Sequence, residues 1–184
     1  RQMTNEGNLL ISSLKLTKSG PVQEDLISKD AQSPRQIAEK LLEKFCSEGL
    51  IQRKNEVVEA SLDQRVKIAI QAIKLGADFE RVCNFLDWSE FENIATAAFE
   101  ANHFSVKRGF RFMCSGRRWE IDILGFKESV LACVDCKHWH HGWRRAATIK
   151  AVEAQIKRTE ALAKALPALH EKMGLAKWER TVLV

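Results

Sequence analysis

The stretch WEIDILGFKESVLACVDCKHW, residues 119–139, decides the fold that we expect for this chain. Two apolar runs flank a Gly-Phe-Lys-Glu-Ser break, which is typical of two buried strands joined as a hairpin. Charged side chains are costly in buried strands unless they have a partner or a function. Asp122 lies in the first run, and Asp135 and Lys137 lie in the second. We therefore expect these three residues to form a site.

Strand periodicity predicts which of these charges lie together. Side chains two residues apart in a strand share a face, so Asp135 shares one with Lys137, and Asp122 shares one with Glu120. Residues opposite one another in an antiparallel pair also share a face. A loop with an even number of residues, such as 126–129, therefore predicts Asp122 beside Asp135 and Lys137. An odd loop or a bulge would separate them.

Two interpretations of this cluster are open from the residues alone. Carboxylate oxygens are the ligands that Mg²⁺ prefers, and a nearby lysine can orient a water molecule or offset developing charge. The alternative is a structural ion pair between Lys137 and one of the aspartates, because ion-pair networks also occupy strands.

In its wider context the cluster resembles the restriction-endonuclease-like, or PD-(D/E)XK, nuclease superfamily. The chain is most similar to the branch that contains archaeal Holliday-junction resolvases and type IV (Mrr-type) restriction endonucleases. The similar segment spans residues 88 to about 166. It contains FENIATAAFEANHFSVKRG, which resembles the opening helix and the following strand, then EIDILG and ACVDCKHW, which match the two site-bearing strands.

The resemblance implies a role for each matching residue. Asp122 and Asp135 would be metal ligands, together with the backbone carbonyl of Cys136. Lys137 would be the catalytic lysine, and Glu92 the acid on the helix and a further metal ligand. The implied cofactor is Mg²⁺ or Mn²⁺.

Several neighbouring residues qualify these assignments. Glu90 pairs with Asp87 in a predicted helix capping box, so Glu92 is preferred as the helix acid. Ile121 replaces the proline that often precedes the first aspartate. The glutamine-tyrosine element of some relatives is present only as Gln155, with Thr159 where tyrosine might stand. Gln155 and Glu120 are auxiliary candidates.

Basic residues concentrate around the proposed site. Residues 1–87 carry 13 basic and 13 acidic side chains, whereas residues 88–184 carry 16 and 11. A basic surface suits a polyanionic substrate, although solvated edge strands and loops are also basic. The residues expected to contact DNA are Lys107, Arg108, Arg111, Arg117, Arg118, His138, His140, Arg144 and Arg145, together with Arg53 and Lys54 nearer the N-terminus.

The chain divides by pattern into three parts. Residues 1–60 predict three helices and a β-hairpin, which is typical of a winged helix-turn-helix domain. This lobe has no net charge, so docking to DNA and docking to protein are both open. Residues 61–86 predict a helical connector, which opens with a capping box between Ser61 and Gln64. Residues 87–184 predict the nuclease-like domain, in which Pro167 is expected to end a long helix over residues 148–166. The final strand of this domain reads as cut short.

Composition narrows the class of protein. The sequence contains no run long enough to span a bilayer and opens with no signal-peptide pattern, so no membrane association is expected. Five scattered cysteines indicate reduced thiols in the cytoplasm. Cys133 and Cys136 face opposite ways in an extended strand, which argues against a zinc site.

The expected fold is α/β, a restriction-endonuclease-like mixed sheet flanked by helices and preceded by the small winged helix-turn-helix domain. The expected function is Mg²⁺-dependent endonucleolytic hydrolysis of DNA, of a restriction or junction-resolving type. The resemblance further implies a homodimer. Two alternatives stay open: a winged-helix DNA-binding regulator with a silent nuclease-like half, and an interaction module whose charges only form ion pairs.

Overall fold

The computed structural model describes residues 4–128, 130–137, 145–173 and 180–183, with side chains for all of these except 145, 170–173 and 180–183. The described chain is α/β and contains two small sheets. Its internal contacts divide it into two compact units, Arg1–Ile94 and Ala95–Val184. None of the described helices combines the length and apolar character that crossing a bilayer requires.

The first unit contains five complete helices, three short strands and a single 3₁₀ turn among the residues described. Its elements are α1 (Asn5–Leu16), the 3₁₀ turn (Thr17–Ser19), β1 (Val22–Gln23), α2 (Glu24–Asp30), α3 (Arg35–Ser47), β2 (Gln52–Lys54), β3 (Val57–Glu59), α4 (Leu62–Lys74) and α5 (Phe79–Cys83). The strands form an antiparallel sheet in the order β1-β3-β2. Asn55 and Glu56 join β2 to β3 with positive φ angles of 49° and 61°, as a tight two-residue hairpin loop requires.

The helix predicted as a connector belongs to the core of the first unit. Ser61 and Gln64 form the predicted capping box at the start of α4. Ile68, Ala69 and Ala72 are fully buried in the same apolar cluster as the residues of α1. The contacts therefore give a different division from the boundaries expected at residues 60 and 86, because the apolar face of α4 is covered by α1.

The second unit is built on a mixed four-stranded sheet. After α6 (Trp88–Ala101), inside which the division between the units falls, the elements are β4 (Ser105–Cys114), β5 (Arg117–Lys127), β6 (Val130–Val134), α7 (Arg145–Met173) and β7 (Arg180–Leu183). The strand order is β4-β5-β6-β7, with antiparallel pairs except for the parallel pair β6–β7. Leu124, Leu131 and Cys133 of this sheet lie in one buried cluster with α7.

Two expected boundaries were wrong. The second strand of the hairpin ends at Val134, so Asp135 and Lys137 follow the strand instead of lying inside it. Helix α7 continues through Pro167 to Met173, where the proline was expected to end it. A proline removes one backbone donor and tends to kink a helix, but packing can keep the helix continuous beyond it.

Candidate functional site

The β5–β6 hairpin brings Asp122 and Asp135 to the same end of its ladder. The ladder pairs Ile123 with Val134 and Lys127 with Val130, so two residues form the loop. The even loop is therefore confirmed, although it is two residues shorter than expected. Asp122 precedes and Asp135 follows the last ladder pair, Ile123 with Val134, and both aspartates line one cleft.

The side chain of Asp122 closes the hairpin at this end. Its Oδ2 accepts a hydrogen bond of 2.8 Å from the backbone N–H of Cys136. A side-chain acceptor at this point takes a donor that would otherwise continue the ladder, which accounts for the end of β6 at Val134. On the other side, Gly109 of β4 stands opposite Asp122 with a φ of 56°. Glycine adopts this left-handed conformation without the Cβ penalty, and it adds no side chain beside Asp122.

Asp135 is held between two cationic side chains. Lys137 Nζ lies 2.9 Å from its Oδ1 and 2.8 Å from its Oδ2, and Arg158 Nη1 lies 2.8 Å from Oδ1. The side chain of Asp135 is 10% exposed, against 42% for Lys137 and 25% for Arg158. The structural ion pair considered for Lys137 is thus present, with Asp135 as its acid and Arg158 as an additional partner.

Helix α7 supplies the polar groups that face these carboxylates. Gln155 Nε2 donates to the Cys133 carbonyl at 2.7 Å, and its Oε1 accepts from Arg158 at 3.3 Å. Thr159 is buried and donates to the Gln155 carbonyl at 3.1 Å. Burial raises the pKa of the Cys133 thiol to about 11, an effect that a hydrogen bond with Thr159 partly offsets.

Asp122, Asp135, Lys137 and Arg158 line an open cleft of about 510 Å³. Its walls come from the start of β5, from the residues that follow β6 and from the first half of α7. Six basic and four acidic side chains line it, so the surface is net positive around a carboxylate centre. The lining residues are Arg117, Arg118, Trp119, Glu120, Asp122, Asp135, Lys137, Lys150, Glu153, Ala154, Lys157 and Arg158.

The basic residues expected to contact DNA fall into separate groups in the second unit. Arg117 and Arg118 line the cleft, and the guanidinium of Arg117 lies 4.3 Å from the centre of the Trp119 ring. Lys107 and Arg108 are exposed on β4 but lie outside the lining.

Glu120 and Arg111, expected as an auxiliary acid and a DNA contact, form a pair with each other. Arg111 donates to Glu120 through Nε at 3.0 Å and Nη2 at 3.2 Å. The two residues are register partners on β4 and β5. The hydrogen bond from Arg111 lowers the pKa of Glu120, so this carboxylate stays ionised.

The other residues that were expected at the site or at the DNA surface belong to the first unit or lie outside the residues that the structure describes. Glu92 is 7% exposed on the first half of α6, and its role as the helix acid stays a prediction. Arg53 makes a two-pronged ion pair with Glu24, and Lys54 is exposed at the end of β2. His138, His140 and Arg144, and the side chain of Arg145, lie outside the described residues.

Comparison with protein-family models, with curated proteins and with solved structures returned no match to this chain. The chemistry of the site therefore has to be argued from its own geometry.

The donor set fits a hard divalent cation. Asp122 and Asp135 are carboxylates that line one cleft, and such cations are held by one or two carboxylates with water and substrate oxygens. The Lys137 amine and the Arg158 guanidinium are attracted by the negative charge of Asp135. The same charge would attract a metal ion. Unlike a salt bridge that is enclosed by protein, these ion pairs lie in an open cleft.

Sequence reasoning did not assign the residues that α7 contributes to the cleft. Lys150, Glu153 and Lys157 follow one another at spacings of three and four, so they share a face of a helix, and Arg158 lies at the flank of that face. Further along, the same face carries Ala161, which is buried against the sheet. On this face of α7 the side chains are polar near the start of the helix and apolar further along. That change is the signal that could have identified the cleft residues of α7.

Proposed function

We propose that this protein hydrolyses DNA phosphodiester bonds in a reaction that depends on Mg²⁺ or Mn²⁺. The observation that carries the proposal is that Asp122 and Asp135 both line a cleft with a net positive lining. A positive lining attracts a polyanion, and the carboxylates supply the ligands that a hard cation needs. The resemblance to PD-(D/E)XK nucleases points to the same chemistry.

We assign the roles as follows. Asp122, Asp135 and the backbone carbonyl of Cys136 would hold the cation, with Glu92 as the helix acid that the resemblance adds. A bound divalent cation would polarise the phosphodiester and lower the pKa of a water molecule. Lys137 stands within 2.9 Å of Asp135 Oδ1, where its ammonium can orient the attacking water and offset the charge that develops on phosphorus oxygens.

The reaction balances without a further reactant. The water oxygen forms a new P–O bond while the bond from phosphorus to the leaving sugar oxygen breaks. One proton of the water is transferred to solvent, and the leaving oxygen gains a proton to become a hydroxyl. The products are one strand end with a phosphate and one with a hydroxyl.

We also propose the finer fold assignments that this function needs. The order helix, strand, strand, strand, helix in the second unit, with the acids on the β5–β6 hairpin, supports a restriction-endonuclease-like domain. The order α1, β1, α2, α3, β2, β3 in the first unit supports a winged helix.

A second candidate function is a DNA-binding regulator with a silent nuclease-like half. The specific observation in its favour is that Lys137 and Arg158 already neutralise Asp135. Such a protein would bind DNA in a salt-sensitive way and would not cleave it.

A plasmid-nicking assay separates the two candidates. Wild type, Asp122→Asn and Asp135→Asn are incubated with supercoiled and with branched DNA, with Mg²⁺ or with EDTA. The proposal expects nicking by wild type in Mg²⁺ alone and loss of nicking in both variants, with DNA binding retained. Salt-sensitive binding without nicking on any substrate would favour the regulator.

A further inference from the structure

Arg158 lies where the apolar core of the second unit gives way to the charged cleft. One helical turn after it, Ala161 and Leu162 are buried in a cluster with Leu131 and Cys133 of the sheet. The helix that carries Arg158 is therefore held by packing, while the Arg158 side chain is 25% exposed and lines the cleft. An arginine in this position can move its charged end without disturbing the helix that carries it.

The contacts of Asp135 indicate which cation would give way to a metal ion. Its Oδ1 accepts from both Lys137 and Arg158, at 2.9 Å and 2.8 Å. A carboxylate oxygen has two lone pairs, so both are engaged in these contacts. Lys137 also contacts Oδ2 at 2.8 Å and can keep its ion pair there, whereas the contact described for Arg158 is through Oδ1.

We propose that Arg158 and a divalent cation compete for Oδ1 of Asp135, and that the displaced guanidinium then binds a phosphate of the DNA. This inference rests on the proposed function and deepens it. A guanidinium matches the geometry of phosphate oxygens as well as that of a carboxylate. Lys150 and Lys157 lie along the same cleft wall, so the phosphate would arrive beside further positive charge.

The competition links the two ligands of the site. A phosphate that holds Arg158 leaves Oδ1 open to the cation, and a cation on Oδ1 leaves Arg158 open to the phosphate. Coupling of this kind is reciprocal, so each ligand strengthens binding of the other. Arg158 is thus a positioning residue. When it binds a DNA phosphate, it leaves Oδ1 of Asp135 available to the cation.

Cation binding without DNA tests the first half of the inference. Isothermal titration with Mn²⁺ is carried out on wild type, Arg158→Gln, Arg158→Lys and the control Lys157→Gln, which removes the same charge from the same cleft wall. We expect Arg158→Gln to bind Mn²⁺ about fivefold more tightly than wild type or better. Lys157→Gln should change the affinity by less than about twofold, because exposed charges are screened by salt. Arg158→Lys, which keeps a cation, should stay closer to wild type.

DNA binding tests the second half with a readout independent of cleavage. The anisotropy of a labelled duplex is followed for wild type and Arg158→Gln, in Ca²⁺ and in EDTA. The variant should lose about tenfold in affinity in Ca²⁺, as expected for one charge-assisted hydrogen bond, and much less in EDTA. An equal loss in both conditions would show that Arg158 contacts DNA without competing for Asp135, and would overturn the inference.

The results also distinguish this inference from the proposed function. Weaker or unchanged Mn²⁺ binding by Arg158→Gln, in a variant whose circular dichroism matches wild type, would mean that Arg158 only supports the carboxylate. The competition would then be wrong, while the metal site would remain. If wild type and Asp135→Asn bind Mn²⁺ equally or not at all, the proposed cation site itself is wrong.

Discussion

Two arginine–carboxylate pairs, one in each unit, show how the surroundings of an ion pair set its role. Arg65 and Glu90 in the first unit have side chains only 5% and 1% exposed. Arg158 and Asp135 in the second unit are 25% and 10% exposed, and both line a cleft. The chemical groups are the same, but their access to solvent and ligands differs.

The pair in the first unit is enclosed by further acceptors. Arg65 also donates to the Leu14 carbonyl at 2.5 Å, to Thr17 Oγ1 at 3.0 Å and to the Phe85 carbonyl at 2.8 Å. Glu90 accepts the backbone N–H of Asp87 at 2.8 Å and so completes a capping box. A buried pair with this many hydrogen bonds holds helices and loops of the first unit together. The pair in the second unit instead shares its carboxylate with Lys137 and faces a cleft.

The largest effect that we expect is on the enclosed pair. Arg65→Met should lower the free energy of unfolding by about 3–5 kcal/mol, because it leaves the Glu90 carboxylate buried without its partner. Denaturant unfolding followed by circular dichroism measures this loss. Arg35→Gln is the matched control, since Arg35 and Glu39 form a pair that is 66% and 45% exposed, and this substitution should leave the free energy of unfolding close to that of wild type. Equal losses in the two variants would remove the distinction between enclosed and exposed pairs.

The next effect separates activity from stability at the cleft. Asp135→Asn should reduce Mg²⁺-dependent nicking by about a hundredfold or more, which is the size of loss seen when a key electrostatic group is removed. The free energy of unfolding should change by only about 1 kcal/mol, because the pair is partly solvated. Initial rates of plasmid nicking and denaturant unfolding of the same preparation give both values.

The matched control for Asp135→Asn is Glu120→Gln, which removes an acid from the edge of the same cleft. The Glu120 side chain is 49% exposed and bonded to Arg111, so nicking should stay within about threefold of wild type. Nicking that persists in Asp135→Asn would reject the cleft as the active site.

A smaller effect concerns the basic wall of the cleft. Lys157→Gln should weaken DNA binding uniformly across sequences and reduce the slope of log affinity against log salt by about one. Fluorescence anisotropy at several salt concentrations measures the slope. Lys67→Gln, which removes an exposed charge from α4, should leave the slope unchanged. If both variants reduce it equally, the cleft is not where phosphates bind.

The smallest signal is expected from Cys133, beneath the apolar end of α7. Its pKa is raised to about 11, so at pH 8 about one thiol in a thousand is ionised and alkylation should be negligible in the native protein. Half-buried Cys114 should react under the same conditions. Mass spectrometry of peptides after brief iodoacetamide treatment measures both, and rapid labelling of Cys133 would show that α7 does not stay packed on the sheet.

Much of the fold could be predicted from the sequence because the patterns involved depend on residues that are close together in the chain. The capping boxes at Ser61–Gln64 and Asp87–Glu90 follow from spacing alone, and both are present. The placement of Asp122 and Asp135 next to the last ladder pair of one hairpin follows from the even loop. These features depend on neighbours in the chain or on one hairpin.

The parts that sequence reasoning missed depend on contacts between distant segments. Burial of α4 against α1 is a packing outcome that its own amphipathic pattern does not specify. The ion pair of Asp135 with Arg158 joins residues 23 positions apart, and only the docking of α7 on the sheet brings them together. The end of β6 at Val134 reflects a single side-chain acceptor, Asp122, which no strand propensity encodes.

The central claim is that Asp122 and Asp135 together bind a divalent cation, and its most direct test is anomalous diffraction from crystals of the protein soaked in Mn²⁺. We predict an anomalous peak within about 2.0–2.6 Å of a carboxylate oxygen of each aspartate. In the same crystals Arg158 Nη1 should lie beyond about 4 Å, the ion-pair limit, from Asp135 Oδ1. Crystals that bind Mn²⁺ elsewhere or nowhere, with the Arg158–Asp135 pair intact, would contradict the account.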